Sequence, residues 1–231
     1  MKILHIETSS RNCSVAISDG EELLCLCEEV SENYKQSESL HTFVEWALEG
    51  AEISLKDIEA VSLGKGPGSY TGLRIGAASA KGFCYGLKVP LIAVNSLETM
   101  IEPFLRQNYD VIIPLIDARR MEVYCAVFDG NSGEMISETE AKILNEQSFK
   151  EFEGKKILFV GDGAKKFKNF LSSFGGVGGG FSHADFNSEV YPSAKYLIKK
   201  SVEKFNRQDF EDVAYFEPFY LKDFHGVKRK N

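Results

Sequence analysis

The sequence predicts an α/β protein built from two related mixed-sheet lobes, and three observations carry that prediction. The chain opens with a meander of three apolar strands. A helix, strand, helix, strand succession follows, and from residue 111 onward part of the same order returns.

Residues 2–7 form a short apolar run ending in Glu7, and Thr8-Ser9-Ser10-Arg11-Asn12 is a polar turn. Residues 13–18 return as a second strand, Asp19-Gly20 marks a turn, and 21–30 form a third strand. Residues 37–50 then place Leu40, Phe43, Val44, Ala47 and Leu48 on one face of a helix that Gly50 stops, with Trp46 to the side. A capped turn at Ser54-Leu55-Lys56-Asp57 leads into an apolar strand over 58–63, and a long helix spans 71–87. Pro90-Leu91-Ile92-Ala93-Val94 is a compact strand, and Ser96 caps a short helix over 97–104.

The second block starts near Arg106. Residues 111–117 read as a strand, with Pro114 suited to an edge or a bulge, and 122–128 alternate as its antiparallel neighbour. Asp129-Gly130-Asn131-Ser132-Gly133 signals a hairpin. Helix or loop is expected from 139 to 152, a buried strand over 156–160, and a helix over 165–174 after Gly161-Asp162-Gly163. The run Gly175-Gly176-Val177-Gly178-Gly179-Gly180 reads as a mobile loop, because ordering glycine sacrifices the most backbone freedom. Pro192 opens a last long helix, and 213–221 are extended. The echo of the first block is incomplete. The expected organisation is an N-terminal lobe of residues 1–104 joined by 191–223, a second lobe over 105–190, and a flexible tail over 224–231.

Composition bounds the function. Acidic side chains outnumber basic ones by 34 to 27, for a net charge of −7, which disfavours a chain that wraps nucleic acid by itself. Five scattered cysteines, with only Cys25 and Cys27 paired on one strand face, give no metal-ligand spacing. An odd count without a signal peptide fits buried thiols in a reducing cytoplasm, and no apolar run is long enough to span a bilayer.

The densest signal is the loop Gly64-Lys65-Gly66-Pro67-Gly68-Ser69-Tyr70-Thr71. It is either an anion cradle or a contact surface, since its glycines admit close approach and Pro67 stiffens it. Beyond it, Gly72, Gly76, Ala77, Ala80 and Cys84 recur at helical spacing and leave a stripe nearly free of side-chain bulk. Such a stripe receives either a partner helix or the chain's own sheet. Arg74 and Lys81 fall off it. Candidate cleft residues are Glu7, Thr8 and Ser9 after the first strand, and Asp117, Arg119 and Arg120 after the strand of the second block. They could hold a small ligand, stabilise a tight hairpin, or form an ion-pair network.

Together these residues carry a family likeness. The opening Ile3-Leu4-His5-Ile6-Glu7-Thr8-Ser9, the loop over 64–76, Ile116-Asp117-Ala118-Arg119-Arg120-Met121-Glu122, Gly161-Asp162-Gly163 and Glu217-Pro218-Phe219-Tyr220-Leu221 resemble the TsaB (YeaZ) family over nearly the whole chain. The resemblance implies an actin-like ATPase fold, that of sugar kinases and heat-shock 70 proteins, in reduced form. It implies a non-catalytic subunit that binds TsaD for formation of N6-threonylcarbamoyladenosine at position 37 of tRNAs reading codons that start with A. TsaE joins the complex, a second copy of the chain replaces TsaD when TsaD is absent, and tRNA is reached through the complex. No intrinsic cofactor is implied, with ATP or ADP and metal held by the partner subunits.

The resemblance also implies a helical-bundle interface on the helices over 37–48 and 71–87, formed by Leu40, Phe43, Val44, Ala47, Gly72, Leu73, Gly76, Ala77, Ala80 and Phe83. TsaD-like proteins hold a metal with two histidines one helical turn apart; this helix carries His41 alone, and Gln36 stands where many relatives have histidine. The first turn lacks the phosphate-cradling glycine of active superfamily members. Two other functions compete: a small-molecule kinase or ATPase of this fold, and an unrelated homodimeric scaffold.

Overall fold

The computed structural model describes residues 1–31, 36–173 and 181–222. The glycine-rich run over 175–180 and the tail over 224–231 lie outside the described residues.

The opening strand Lys2–Glu7 (β1) is buried on both faces, as the middle of a sheet covered by helices requires. Asn12–Asp19 (β2) and Glu22–Val30 (β3) extend from it antiparallel on one side, Ala60–Gly64 (β4) and Leu91–Val94 (β5) parallel on the other. The order is β3-β2-β1-β4-β5. In the second sheet Val111–Asp117 (β6) is central. Glu122–Asp129 (β7) and Met135–Ile143 (β8) lie antiparallel on one side, Ile157–Val160 (β9) and Ala184–Asn187 (β10) parallel on the other. Strand for strand the order repeats that of the first sheet. This duplicated mixed sheet is, at the level of the superfamily, the actin-like architecture that the resemblance implies.

Helices join the two sheets by crossing over. Gln36–Gly50 (α1) and Tyr70–Leu87 (α2) cover the face of the first sheet formed by Leu4, Ile6, Val61 and Leu63. Ser96–Ile101 (α3) follows β5 but packs Leu97, Met100 and Ile101 on Ile112, Phe128 and Val160 of the second sheet. Reciprocally, the turn Ala194–Leu197 and Ile198–Asn206 (α5) follow β10 but set Leu197 and Val202 on Ile3, Ala60 and Ile92 of the first. Asp162–Ser173 (α4) covers the remaining face of the second sheet, where Phe167, Phe149, Phe159 and Phe181 make edge-on or tilted ring contacts. Each half therefore lends its last helix to the other.

Several expectations are corrected. The stretch from 139, expected to be helix or loop, begins as the edge strand β8, and with β10 it completes the echo. Pro114 lies in the central strand of its sheet. The ladder to β7 pairs Ile112 with Phe128 and resumes at Leu115 with Cys125, so the missing N–H falls where no rung is made. The last helix is shorter than expected, its first turn being 3₁₀. Asn95, not Ser96, caps α3: its Oδ1 accepts the Leu97 N–H at 2.9 Å.

The small-residue stripe faces its own sheet. Gly72, Leu73, Gly76, Ala77 and Ala80 are buried within the chain, as are Leu40, Phe43, Val44 and Ala47 of α1, while Phe83 is half-buried against the same core. A Cβ on Gly72 would lie 2.1 Å from the Thr8 carbonyl oxygen, and one on Gly76 would lie 2.3 Å from Thr8 Oγ1. Nine of the ten residues expected at a partner interface are therefore core. Gly76→Leu should destabilise the folded chain by about 3 kcal/mol or more, because the clash is with the sheet; an unchanged urea midpoint would contradict this packing.

A polar network lies on the α5 side of the first sheet. His5 Nε2 shares a hydrogen with Ser18 Oγ at 2.8 Å, and Ser201 Oγ meets both Ser62 Oγ at 2.6 Å and His5 Nδ1 at 3.4 Å. Burial drops the His5 pKa from 6.5 to about 3. Below pH 6.5 the unfolded chain binds a proton here that the folded chain refuses, so stability falls as pH drops from 6.5 towards 3. The slope from this group is about 1.4 kcal/mol per pH unit. Urea titrations of the wild type and His5→Gln between pH 7 and 4 should show the shallower acid-side loss in the variant.

Candidate functional site

The ends of the central strands and the starts of two helices meet in a cleft of about 1040 Å³ between the sheets. One wall is the β1–β2 turn with the start of α2, from Ser9 to Arg11 and from Gly68 to Thr71. The facing wall is the β6–β7 turn and the exposed side of α4, where Asp162, Lys165, Lys166, Asn169 and Phe170 recur at helical spacing. The C-terminal segment, Phe219 to Lys222, closes one end.

Of the six candidate cleft residues, Ser9, Asp117 and Arg119 line the cavity. Glu7 and Thr8 do not. Both are fully buried beneath the turn and hold it to the glycine loop. Glu7 Oε1 accepts the Ser9 N–H at 2.7 Å, and Oε2 accepts the Ser96 hydroxyl at 2.9 Å. Burial raises the Glu7 pKa above the usual carboxylate value, against these hydrogen bonds. Thr8 donates its hydroxyl to the Gly72 carbonyl at 2.8 Å. Arg120 also stands outside the cavity lining.

The glycine loop serves its own chain. Gly64 presses on the Glu7 carboxylate, where a Cβ would come within 1.9 Å of Oε2. Gly66, at φ +103°, accepts the Ser96 N–H on its carbonyl at 2.9 Å, donates its own N–H to Ser96 Oγ at 3.2 Å, and lies under the Phe219 carbonyl. Gly68 approaches Ser9 so closely that a Cβ would sit 2.1 Å from its carbonyl oxygen, and Ser69 N–H donates to that oxygen at 2.6 Å. Pro67 is buried, and Ser69 caps α2 by accepting the Gly72 N–H at 3.3 Å. Of the six loop residues singled out from the sequence, Gly68, Ser69 and Thr71 reach the cleft.

On the other wall Asp117 gathers the hairpin. Its Oδ1 accepts the Arg119 N–H at 2.6 Å and the Lys166 ammonium at 2.5 Å. Asp162, whose carboxyl burial pushes up, accepts the Asp117 N–H at 2.8 Å. Arg119 and Arg120 have φ of +67° and +50°. Hairpin turns with two such residues favour Asn-Gly, so this turn stores strain of about 1 kcal/mol or more per arginine. Lys222 bonds to the Glu122 carboxylate and lies 5.6 Å over the Tyr124 ring, fastening the C-terminal segment to the same hairpin.

Sequence reading missed several residues of this site. Arg11 donates to the Tyr191 hydroxyl at 3.0 Å across 180 positions, a contact no local pattern announces. Lys165, Lys166 and Asn169 were legible only as one polar face of a helix. Among the described residues, no group of three or more His, Cys, Asp or Glu is placed to hold a metal. His41 instead meets Ser79 Oγ at 3.3 Å. Cys13, Cys84 and Cys125 are buried, and burial raises their thiol pKa values to about 12. Among the described residues, no helix is long and apolar enough to cross a membrane.

The family model of TsaD, tRNA N6-adenosine threonylcarbamoyltransferase, matches residues 28–223. The tRNA threonylcarbamoyladenosine biosynthesis protein TsaB of Escherichia coli is 31% identical over 96% of this chain and 95% of its own length. The Bacillus subtilis protein of the same name is 27% identical over 96% and 94%. Two solved Pseudomonas aeruginosa structures share the fold at 22% identity, one described as similar to peptidase YEAZ and one as YeaZ. Their TM-scores are 0.78 and 0.75, covering 96% and 95% of this chain and 99% of each structure. With a curated relative matched from end to end at this identity, the chain belongs to the TsaB (YeaZ) family.

Proposed function

We propose that this chain is a non-catalytic partner of a TsaD-type transferase in forming N6-threonylcarbamoyladenosine in tRNA. The observation that carries this reading is the likeness to TsaB over 96% of the chain. The site supports it. Glu7, which ends the strand where a catalytic carboxylate would be sought, is turned inward and bonded to Ser9 and Ser96 as a brace between loops.

The partner surface lies on the outer side of α1 and α2, not on the buried stripe. Trp46 is 55% exposed and Tyr85 is 85% exposed. On α2, Gly82 and Gly86 are one turn apart, exposed, and open to a distance of 4 Å around a would-be Cβ. A partner helix could approach the backbone there with Tyr85 as an anchor. In the fuller assembly a TsaE-type protein would join, ATP or ADP and metal would rest with the partners, and the same surface would pair two copies when TsaD is absent.

The purified chain, mixed with TsaD from the same organism, should form a complex and support threonylcarbamoyl transfer to tRNA that this chain alone does not perform. Turnover by this chain alone, or failure of the two proteins to associate, would overturn the reading. Trp46→Ala and Tyr85→Ala should each weaken the complex by about 2 kcal/mol, or roughly 30-fold, with the melting temperature unchanged. Full affinity in both variants, measured by calorimetry, would place the interface elsewhere.

A further inference from the structure

The cleft between the sheets has a chemistry at odds with the rest of the chain. The protein carries a net charge of −7, yet the cavity lining holds five cationic side chains, Arg11, Arg119, Lys165, Lys166 and Lys222, against three carboxylates. Lys166 and Lys222 are paired with Asp117 and Glu122, which leaves Arg11, Arg119 and Lys165 against Asp162 and Glu189. The side chains of Arg119 and Lys165 form no ion pair among the described residues, and Lys165 is exposed. The starts of α2 and α4, whose N–H dipoles favour negative charge, both border the cavity.

Between these charges stand aromatic rings, each half-buried with part of its surface open: Tyr70, Tyr124, Tyr191 and Tyr220. Tyr70 and Tyr220 face each other at 4.9 Å, and Arg11 and Lys222 lie 5.6 Å over Tyr191 and Tyr124. Cations that track a backbone, interleaved with rings that stack bases, are the arrangement that holds single-stranded nucleic acid. The volume, about 1040 Å³, stands at the upper end of the range for small-molecule pockets, which favours more than one nucleotide over a single one.

We propose that this cleft binds a short single-stranded stretch of RNA directly, with Arg119 and Lys165 on its phosphates and the tyrosines on its bases. The inference rests on the tRNA-modifying role for the choice of RNA, and it adds a contact of this chain's own to one made through the partner. The strained Arg119-Arg120 turn then has a use, since it holds an arginine at the rim facing α4 without competition from an acidic partner.

The test uses the full chain and fluorescein-labelled hexa-adenylate in fluorescence anisotropy, with salt varied. Binding should weaken as salt rises. The Arg119→Ala/Lys165→Ala double variant should lose at least tenfold in affinity and lower the log–log salt slope by about 1.4, two phosphate contacts in single-stranded RNA. Tyr191→Phe, which keeps the ring but removes the hydroxyl that receives Arg11, should bind within about threefold of wild type, whereas Tyr191→Ala should lose tenfold or more. Circular dichroism melts of each variant separate unfolding from lost contacts. No binding by the wild type up to about 0.5 mM protein, unchanged affinity in the folded double variant, or displacement by AMP as effective as by unlabelled hexa-adenylate would overturn the proposal. Any of these results, obtained with a preparation that still joins TsaD and supports transfer, would leave the partner role standing and remove the RNA cleft alone.

Discussion

The structure depends on how closely α2 approaches the turn that follows β1. Three glycines of the loop and helix, Gly68, Gly72 and Gly76, lie where any Cβ would strike Ser9 or Thr8 at 2.1 to 2.3 Å. Glu7 is enclosed by that approach. Its two oxygens bind Ser9 and Ser96, and Gly64 leaves room for the carboxyl group. A helix held this near the strand end aligns its first turn with the cleft, and the same contact excludes water from a carboxyl group whose burial costs free energy unless its hydrogen bonds are made. The glycines, often a sign of flexibility, here produce rigidity.

The second half repeats the device. Gly161, at φ +106°, and Gly163 both lie against Leu115 near the end of β6, where Cβ atoms would come within 2.4 and 2.9 Å of it. Both helices thus start flush against their central strands, and both starts border one cavity. The exchange of α3 and α5 between the sheets fixes the two halves against each other through apolar contact. The C-terminal segment adds polar ties. Lys81 donates to the carbonyls of Ala214 and Phe216, Phe219 N–H donates to Lys65, and Lys222 pairs with Glu122 of the second sheet. The cavity therefore lies between bodies that are clamped on several sides, which suits a binding surface better than a site that must open and close in each turnover.

Particular residues show why parts of this were legible. The meander over 2–30 was readable because its apolar runs and the Asp19-Gly20 turn are local signals. The strand β8 was not, because Met135–Ile143 is an edge strand whose Glu138, Glu140 and Lys142 give it the composition of a surface helix or loop. β10 is four residues long and makes sense only beside β9. The crossing of α3 and α5 left no trace in the sequence, since an apolar helical face is the same whichever sheet it covers.

By itself the sequence determined the α/β class, the central strands, the glycine loop and its smooth helix, and the resemblance to TsaB, because these rest on periodicity, turn chemistry and motifs contained within short stretches. Only the tertiary structure decided which way the smooth helix faces. Helical spacing shows that a surface can admit close approach, but the occupant is set by whichever backbone reaches it first, and here that is the chain's own Thr8. The same holds for the cleft. Glu7 and Asp117 occupy like positions in sequence, yet one is enclosed by α2 and the other meets Lys166 in the open, because neighbours distant in the chain decide the burial of each.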